Sequence, residues 1–219
     1  MPIKLDDEKK SQRLTKAERS KIILSSELKE VLIGLLLGDL HAAKQKKSIN
    51  VRLDFEQGFV HKDYLYHLFD LFKSYCLAAP KIANRLPDKR TGKIYTRITF
   101  RTIALPCFNE LYDIFYLEGK KIIPKNIGEL LTPLGLAYWL CDDGTFCKST
   151  HRVHLCTESF TLAEVNLLVK TINDKWNLNC HKVTRGSGYR VVISRKSLPI
   201  LQSLLKDIMP SMMLHKIGL

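Results

Sequence analysis

The chain has 219 residues, 45% of them hydrophobic, with 11 Gly and 8 Pro. That composition is globular and leaves room for one large domain or two of about 100 residues each. Lys and Arg number 35 against 22 Asp and Glu, a formal net charge of +13. Such a charge points to a polyanionic partner, DNA or RNA ahead of a membrane surface, since nothing reads as a basic amphipathic anchor.

No stretch approaches the roughly 18 apolar residues of a membrane span. Lys4, Asp6, Asp7, Glu8, Lys9 and Lys10 read neither as a secretory signal nor as an acid-poor transit peptide. The six cysteines (76, 107, 141, 147, 156 and 180) are scattered, with no CxxC pair, and read as reduced thiols. Cys147, His151, His154 and Cys156 are of metal-binding types. However, residues 152–158 alternate like a strand, and no tight ligand knuckle is present, so a zinc site is disfavoured.

In chain order, residues 1–25 form a polar arm. Arg13, Lys16, Arg19 and Lys21 either meet DNA backbone there or face solvent on a short helix. Ser26 reads as an N-cap, followed by an apolar helix over 27–39. Residues 49–56 alternate as a half-buried strand, with Val51, Leu53 and Phe55 inward. Helical spacing predicts a helix over 61–76. Residues 81–85 and 95–101 read as strands joined by the turn at 87–92, and 105–117 as a helix.

The second half replays this order. A helix is predicted over 133–142, capped by Thr132 with Pro133 at its first position. A strand over 152–157, a helix over 162–176, a hairpin of 179–185 and 189–195, and a helix over 198–208 follow. A repeat of about 100 residues implies two similar subdomains, 26–118 and 132–219, related by approximate two-fold symmetry and joined by a connector at 119–131. The fold class is α+β, with αββαββα in each half.

Two helices carry the chemistry. Leu32-Ile33-Gly34-Leu35-Leu36-Leu37-Gly38-Asp39-Leu40 and Leu136-Ala137-Tyr138-Trp139-Leu140-Cys141-Asp142-Asp143-Gly144 are both apolar and both end in an acid. Asp39 and Asp143 stand 104 residues apart. Gly34 and Gly38 share a helix face, and each glycine costs about 1 kcal/mol against Ala in a helix. Close approach of a second helix would repay that. Two carboxylates at such a crossing repel unless neutralised, and hard divalent cations suit them. The competing reading is plain helix-end acids. It is the weaker one, because an acid at a helix C-terminus opposes the dipole.

Both segments resemble the signature helices of LAGLIDADG homing endonucleases, in the monomeric two-motif arrangement. The likeness also runs through Lys120-Lys121-Ile122-Ile123-Pro124 and Met212–Lys216, and extends over about residues 27–217. Leu40 stands where the first motif would end in Gly. The resemblance implies a metal-dependent enzyme that cuts both strands of a long DNA site and leaves short 3′ overhangs. It implies Mg2+, with Mn2+ able to substitute, held by Asp39 and Asp143. Gly38 and Asp142, which precede each acid, are further candidates at the metal. Lys121 and Lys216 match the family's basic catalytic positions. An ordinary surface role for these two lysines remains the alternative on the sequence alone.

The family's sheets form saddles on the DNA major groove, and the polar strand faces suit that role. Asn50, Arg52, Asp54, Glu56, Arg97, Thr99 and Arg101 are expected on one saddle, and Arg152, His154, Lys182, Thr184, Arg190 and Ser194 on the other. Lys81, Arg85, Lys89, Arg90, Lys93 and Arg185 sit near hairpins and suit phosphate contacts. The expected partner is double-stranded DNA, bound by a monomer without a membrane. An RNA maturase that assists its own intron's splicing is the alternative. Resemblance further implies an organellar protein, mitochondrial or chloroplast.

Overall fold

The computed structural model describes residues 14–44 and 48–219. Arg13, and most of the polar arm, lie outside the described residues. A short helix, α1 (Lys16–Lys21), opens the described chain behind a Thr15–Glu18 capping box. Then come α2 (Ser26–Leu37), β1 (His41–Lys44), β2 (Val51–Gly58), α3 (Lys62–Phe72), β3 (Lys81–Asn84), β4 (Thr96–Arg101) and α4 (Asn109–Phe115). A two-stranded hairpin, β5 (Tyr116–Leu117) and β6 (Lys120–Lys121), and one helical turn, α5 (Ile127–Leu130), form the connection. The second half is α6 (Pro133–Asp143), β7 (Gly144–Cys147), β8 (Arg152–Leu155), α7 (Leu162–Trp176), β9 (Cys180–Arg185), β10 (Gly188–Ile193) and α8 (Leu198–Leu205), closed by a 3-10 helix at Ser211–Ile217.

Each half is therefore αββαββα, and the sheets have the same order: β1-β2-β4-β3 and β7-β8-β10-β9, all antiparallel. Alternation decides which face of each sheet is covered. Val51, Leu53 and Phe55 are buried from β2, and Ile98 and Phe100 from β4, with the Phe55 and Phe100 rings stacked at 4.3 Å. α3 covers this face with Tyr64, Leu65, Leu68 and Phe72. In the second sheet Val153, Leu155, Val191 and Ile193 play the same part, under α7.

Several boundaries differ from the sequence expectation, each for a local reason. The cap of α2 is Ser25, whose Oγ accepts from Leu28 N–H at 3.2 Å; Ser26 is already helical. That helix ends at Leu37, because Gly38 leaves the helical region with φ −94° and ψ −137°. The predicted helix at 61–76 is α-helical only over Lys62–Phe72, with 3-10 turns at Phe59–His61 and Lys73–Tyr75. The predicted helix at 105–117 begins as a 3-10 turn at Pro106–Phe108 and gives its last two residues to β5. The strands β1 and β7, too short to show periodicity, follow directly on the two signature helices.

α2 and α6 pack together at the centre, and small residues set how closely. A Cβ on Gly34 would stand 2.0 Å from the Gly135 carbonyl oxygen, and one on Gly135 would stand 3.2 Å from the Glu30 carbonyl oxygen. Further along, a Cβ on Gly38 would meet the Asp142 side chain at 2.7 Å. Glycine at 34 and 38 thus removes the atoms that would hold the helices apart, as the spacing predicts. Around this crossing, Leu32, Leu35, Leu36, Leu136, Trp139 and Leu140 are fully buried.

Candidate active site

The crossing brings the ends of both signature helices, and so Asp39, Asp142 and Asp143, to one place. Asp39 lies just past the break at Gly38, while α6 continues through Asp143. The Asp39 charge is felt by the other two acids. Burial, then the nearby Asp39 carboxylate, pushes the Asp143 carboxyl up from 3.8 to about 7, against an opposing pull from Trp139, Lys121 and Lys216. Asp142 is raised further, by burial and by Asp39 and Asp143 on either side.

Two lysines are built into the same centre. Lys121, from β6, donates through Nζ to the carbonyls of Gly38 (2.7 Å) and Leu40 (2.9 Å). Lys216, from the C-terminal 3-10 helix, donates to the carbonyl of Gly144 at 2.8 Å. Leu40 and Gly144 each follow the last acid of a motif, so each lysine is fixed at the mouth of one signature helix. Burial pushes the Lys121 ammonium down, while Asp143, Asp142 and Asp39 push it back up. These placements separate both residues from the ordinary surface lysines of a basic chain.

The donor set suits a hard divalent ion. Carboxylates whose proton affinity is raised by burial and by mutual repulsion gain most from a cation between them, and such ions take oxygen ligands. Among the described residues no three His, Cys, Asp or Glu side chains form a ready-made cage.

The outer sheet faces are the second component. On the first sheet the register puts Asp54 opposite Arg101, Glu56 opposite Thr99, and Lys81 opposite Thr99. Arg52, Asp54, Glu56, Arg97, Thr99 and Arg101 therefore share one face, as predicted, and the register adds Lys81, expected near a hairpin, to the same face. This face is laced by ion pairs: Glu56 holds both Arg85 and Arg97 (2.7 Å to the latter), and Asp54 holds Arg52 at 3.1 Å. Asn50 instead accepts from the Asn109 amide at 3.3 Å, and Lys93 lies after the turn that Asp88 organises.

On the second sheet the register corrects part of the expectation. Val192 pairs with both His154 and His181, and Arg190 pairs with Val183. The outer face therefore carries Arg152, His154, His181, Val183, Arg185 and Arg190. Lys182 pairs with the buried Val191, and Thr184 with Tyr189, so both belong to the opposite face of the edge strand. Reading β9 one residue out of register produced the error, since a slip of one exchanges the faces. His181 was missed for the same reason: Cys180 is the single buried residue of β9, too little by itself to mark the inward face. Ser194 is also misplaced: its hydroxyl lies 3.2 Å from that of Ser197, at the entry to α8. The outer cluster is strongly positive, and burial together with Arg190, Arg152 and His181 pushes the His154 imidazole down.

A crossing of two motif helices, acids at its mouth and a sheet on each side match a known pattern. The model of the LAGLIDADG DNA endonuclease family matches residues 29–201. The chain belongs to that family. It is similar to the homing endonuclease I-WcaI, whose structure was solved bound to its DNA recognition sequence: the TM-score is 0.85 and the identity 27%, over 92% of this chain and 91% of that one. It is 35% identical to the cytochrome b mRNA maturase bI2 of Debaryomyces hansenii, over 89% of this chain and 75% of the relative. It is 32% identical to the maturase of the same name from Saccharomyces cerevisiae, where it spans 48% of the relative's length. DNA endonuclease I-ChuI of Chlamydomonas applanata is 25% identical over 89% of this chain and 96% of its own. Leu32–Leu40 and Leu136–Gly144 both lie within the residues that this family's model covers.

Proposed function

We propose that this LAGLIDADG enzyme is a site-specific homing endonuclease that cuts both strands of a double-stranded DNA target and leaves short 3′ overhangs. The observation that carries the reading is the meeting of Asp39 and Asp143 at one glycine-lined crossing, with Lys121 and Lys216 bound to the carbonyls beside them. The two motifs lie in one chain, so a monomer holds both acids. Its subdomains are residues 26–118 and 132–219, joined by 119–131.

Asp39 and Asp143 would hold the divalent ions, Mg2+ or Mn2+. Bound there, such ions supply an activated water and stabilise the attacking and leaving oxygens of phosphodiester hydrolysis. The chain's own residues do the rest. The outer faces of both sheets hold the duplex across the crossing, with Arg52, Arg97, Arg101, Arg152, His154 and His181 toward the groove. Lys81, Arg85 and Lys93 are placed for phosphates. Lys121 and Lys216 keep positive charge beside the scissile phosphates. Asp39→Asn or Asp143→Asn abolishes double-strand cleavage while target binding persists. Retained cleavage in either variant would sink the assignment.

Relatives named for the cytochrome b mRNA favour a second activity, RNA maturation of the intron, and an organellar location. A splicing assay with the same aspartate variants separates the two: cleavage is lost while splicing survives if both activities reside here.

A further inference from the structure

Asp142 is an extra acid that the symmetry of the two motifs does not call for. Its counterpart in the first motif is Gly38, so one carboxylate stands at the crossing with no mate on the other helix. Its two oxygens are both engaged within the protein. Oδ2 accepts from the backbone N–H of Asp39, across the helix crossing, at 3.2 Å. Oδ1 accepts from the side-chain amide of Gln57, on β2, at 3.2 Å. The absent Cβ at Gly38 is what admits it, since that atom would fall 2.7 Å from the Asp142 Cβ.

From this geometry we infer that Asp142 is a positioning residue for Asp39 and not itself a metal ligand. It ties the first motif's acid to the second motif's helix and, through Gln57, to the first DNA-facing sheet. Asp39 needs such a tie because it lies outside the helix, after the Gly38 break, where no helical hydrogen bond fixes it. Asp143 does not: it is the last residue of α6, and its carbonyl accepts from Cys156 N–H at 3.2 Å. Gly38 has no side chain with which to return the favour. The device therefore serves one of the two acids, and its loss falls on one DNA strand more than on the other.

What the contact demands is an acceptor oxygen, not a charge. Asparagine supplies it: its oxygen takes the Asp39 N–H, and its amide donates to Gln57 once the Gln57 amide is turned over. Alanine supplies neither.

The strand-cleavage consequence rests on the endonuclease reading; the positioning itself does not, so the test has two arms. In the first, hydrogen exchange of the Asp39 amide is followed by NMR in metal-free protein. Asp142→Ala lowers its protection at least tenfold, Asp142→Asn leaves it within twofold, and Gln57→Met, a change on β2 that leaves both motif helices unaltered, lowers it several-fold. In the second, a supercoiled plasmid bearing the target is cut with Mg2+. Asp142→Ala accumulates nicked circle with one strand preferred, while Asp142→Asn gives linear product as the wild type does. Unchanged Asp39 protection in Asp142→Ala and Gln57→Met overturns the inference. So does an Asp142→Asn variant as defective in cleavage as Asp142→Ala, which would make the charge the essential feature. A wild-type protein that cuts no DNA counts against the endonuclease reading alone, and the exchange arm still decides.

Discussion

The carbonyl oxygen of Gly135 occupies the place where a side chain on Gly34 would begin: a Cβ there would lie 2.0 Å away. A backbone atom cannot step aside as a flexible side chain can. Gly34→Ala must therefore part α2 from α6, and overpacking of this kind costs about 3 kcal/mol at the upper end of its usual range. Chemical denaturation measures it. Gly128→Ala is the control, because its nearest neighbour would be the Thr171 hydroxyl at 3.8 Å; it leaves the midpoint unchanged or raises it.

Cleavage should respond to pH through Asp143. Its carboxyl sits near 7 in the metal-free protein, so protons compete with the ion. Apparent metal affinity, measured by calorimetry, falls about tenfold for each pH unit below 7. The sign for stability is opposite. The folded chain holds this proton up to about 7, whereas the unfolded chain releases it near 3.8. Metal-free stability therefore drops as pH rises from about 4 to 7, and Asp142, raised for the same reasons, adds to the drop. Asp143→Asn melts higher than the wild type at pH 8 and close to it at pH 4. Equal melting curves at pH 8 would contradict the shift.

The two lysines should not be equivalent. Lys121 satisfies two carbonyls, at Gly38 and Leu40, and Lys216 one, at Gly144. Lys121→Met leaves two acceptors without a partner, at about 1–3 kcal/mol for a buried unsatisfied group. Lys216→Met costs less. Both variants lose at least tenfold in cleavage rate, and urea unfolding ranks their stabilities.

Glu56 restrains two arginines of the first saddle, Arg85 and Arg97. These ion pairs are partly exposed, so Glu56→Gln changes stability by less than about 1 kcal/mol. Its effect appears in DNA binding. The freed guanidiniums contact phosphates on any sequence, so affinity for random duplex rises and the salt dependence steepens by about one phosphate equivalent. Selectivity for the target falls accordingly. Fluorescence anisotropy across a salt series reads both.

Register makes a sharper distinction on β9. His181→Ala removes a side chain from the outer face and weakens target binding several-fold. Lys182→Ala, one residue along but on the other face, leaves it within twofold. The reverse order would mean that DNA approaches the sheet from its far side.

Much of this was legible along the chain, because it depends on residues near one another in sequence. The two apolar motif helices, the acids at their ends, the repeat of αββαββα and the alternation of β2 and β4 are local patterns, and the folded chain keeps each of them. The register of β9 was not legible. A polar edge strand has no strong inward set to count from, and only its pairing with Val191, Val192 and Ile193 decides which residues face out. The partners at the helix crossing were equally hidden. Gly34 announced a close approach, but that Gly135 lies opposite it, and Asp142 opposite Gly38, follows from the angle and offset of two helices about a hundred residues apart. Asp39 and Asp143 were nameable from sequence. Their shared charge, the carbonyls that fix Lys121 and Lys216, and the Asp142 oxygen on the Asp39 amide exist only once that crossing has formed, because each is a contact between segments that chain order does not relate.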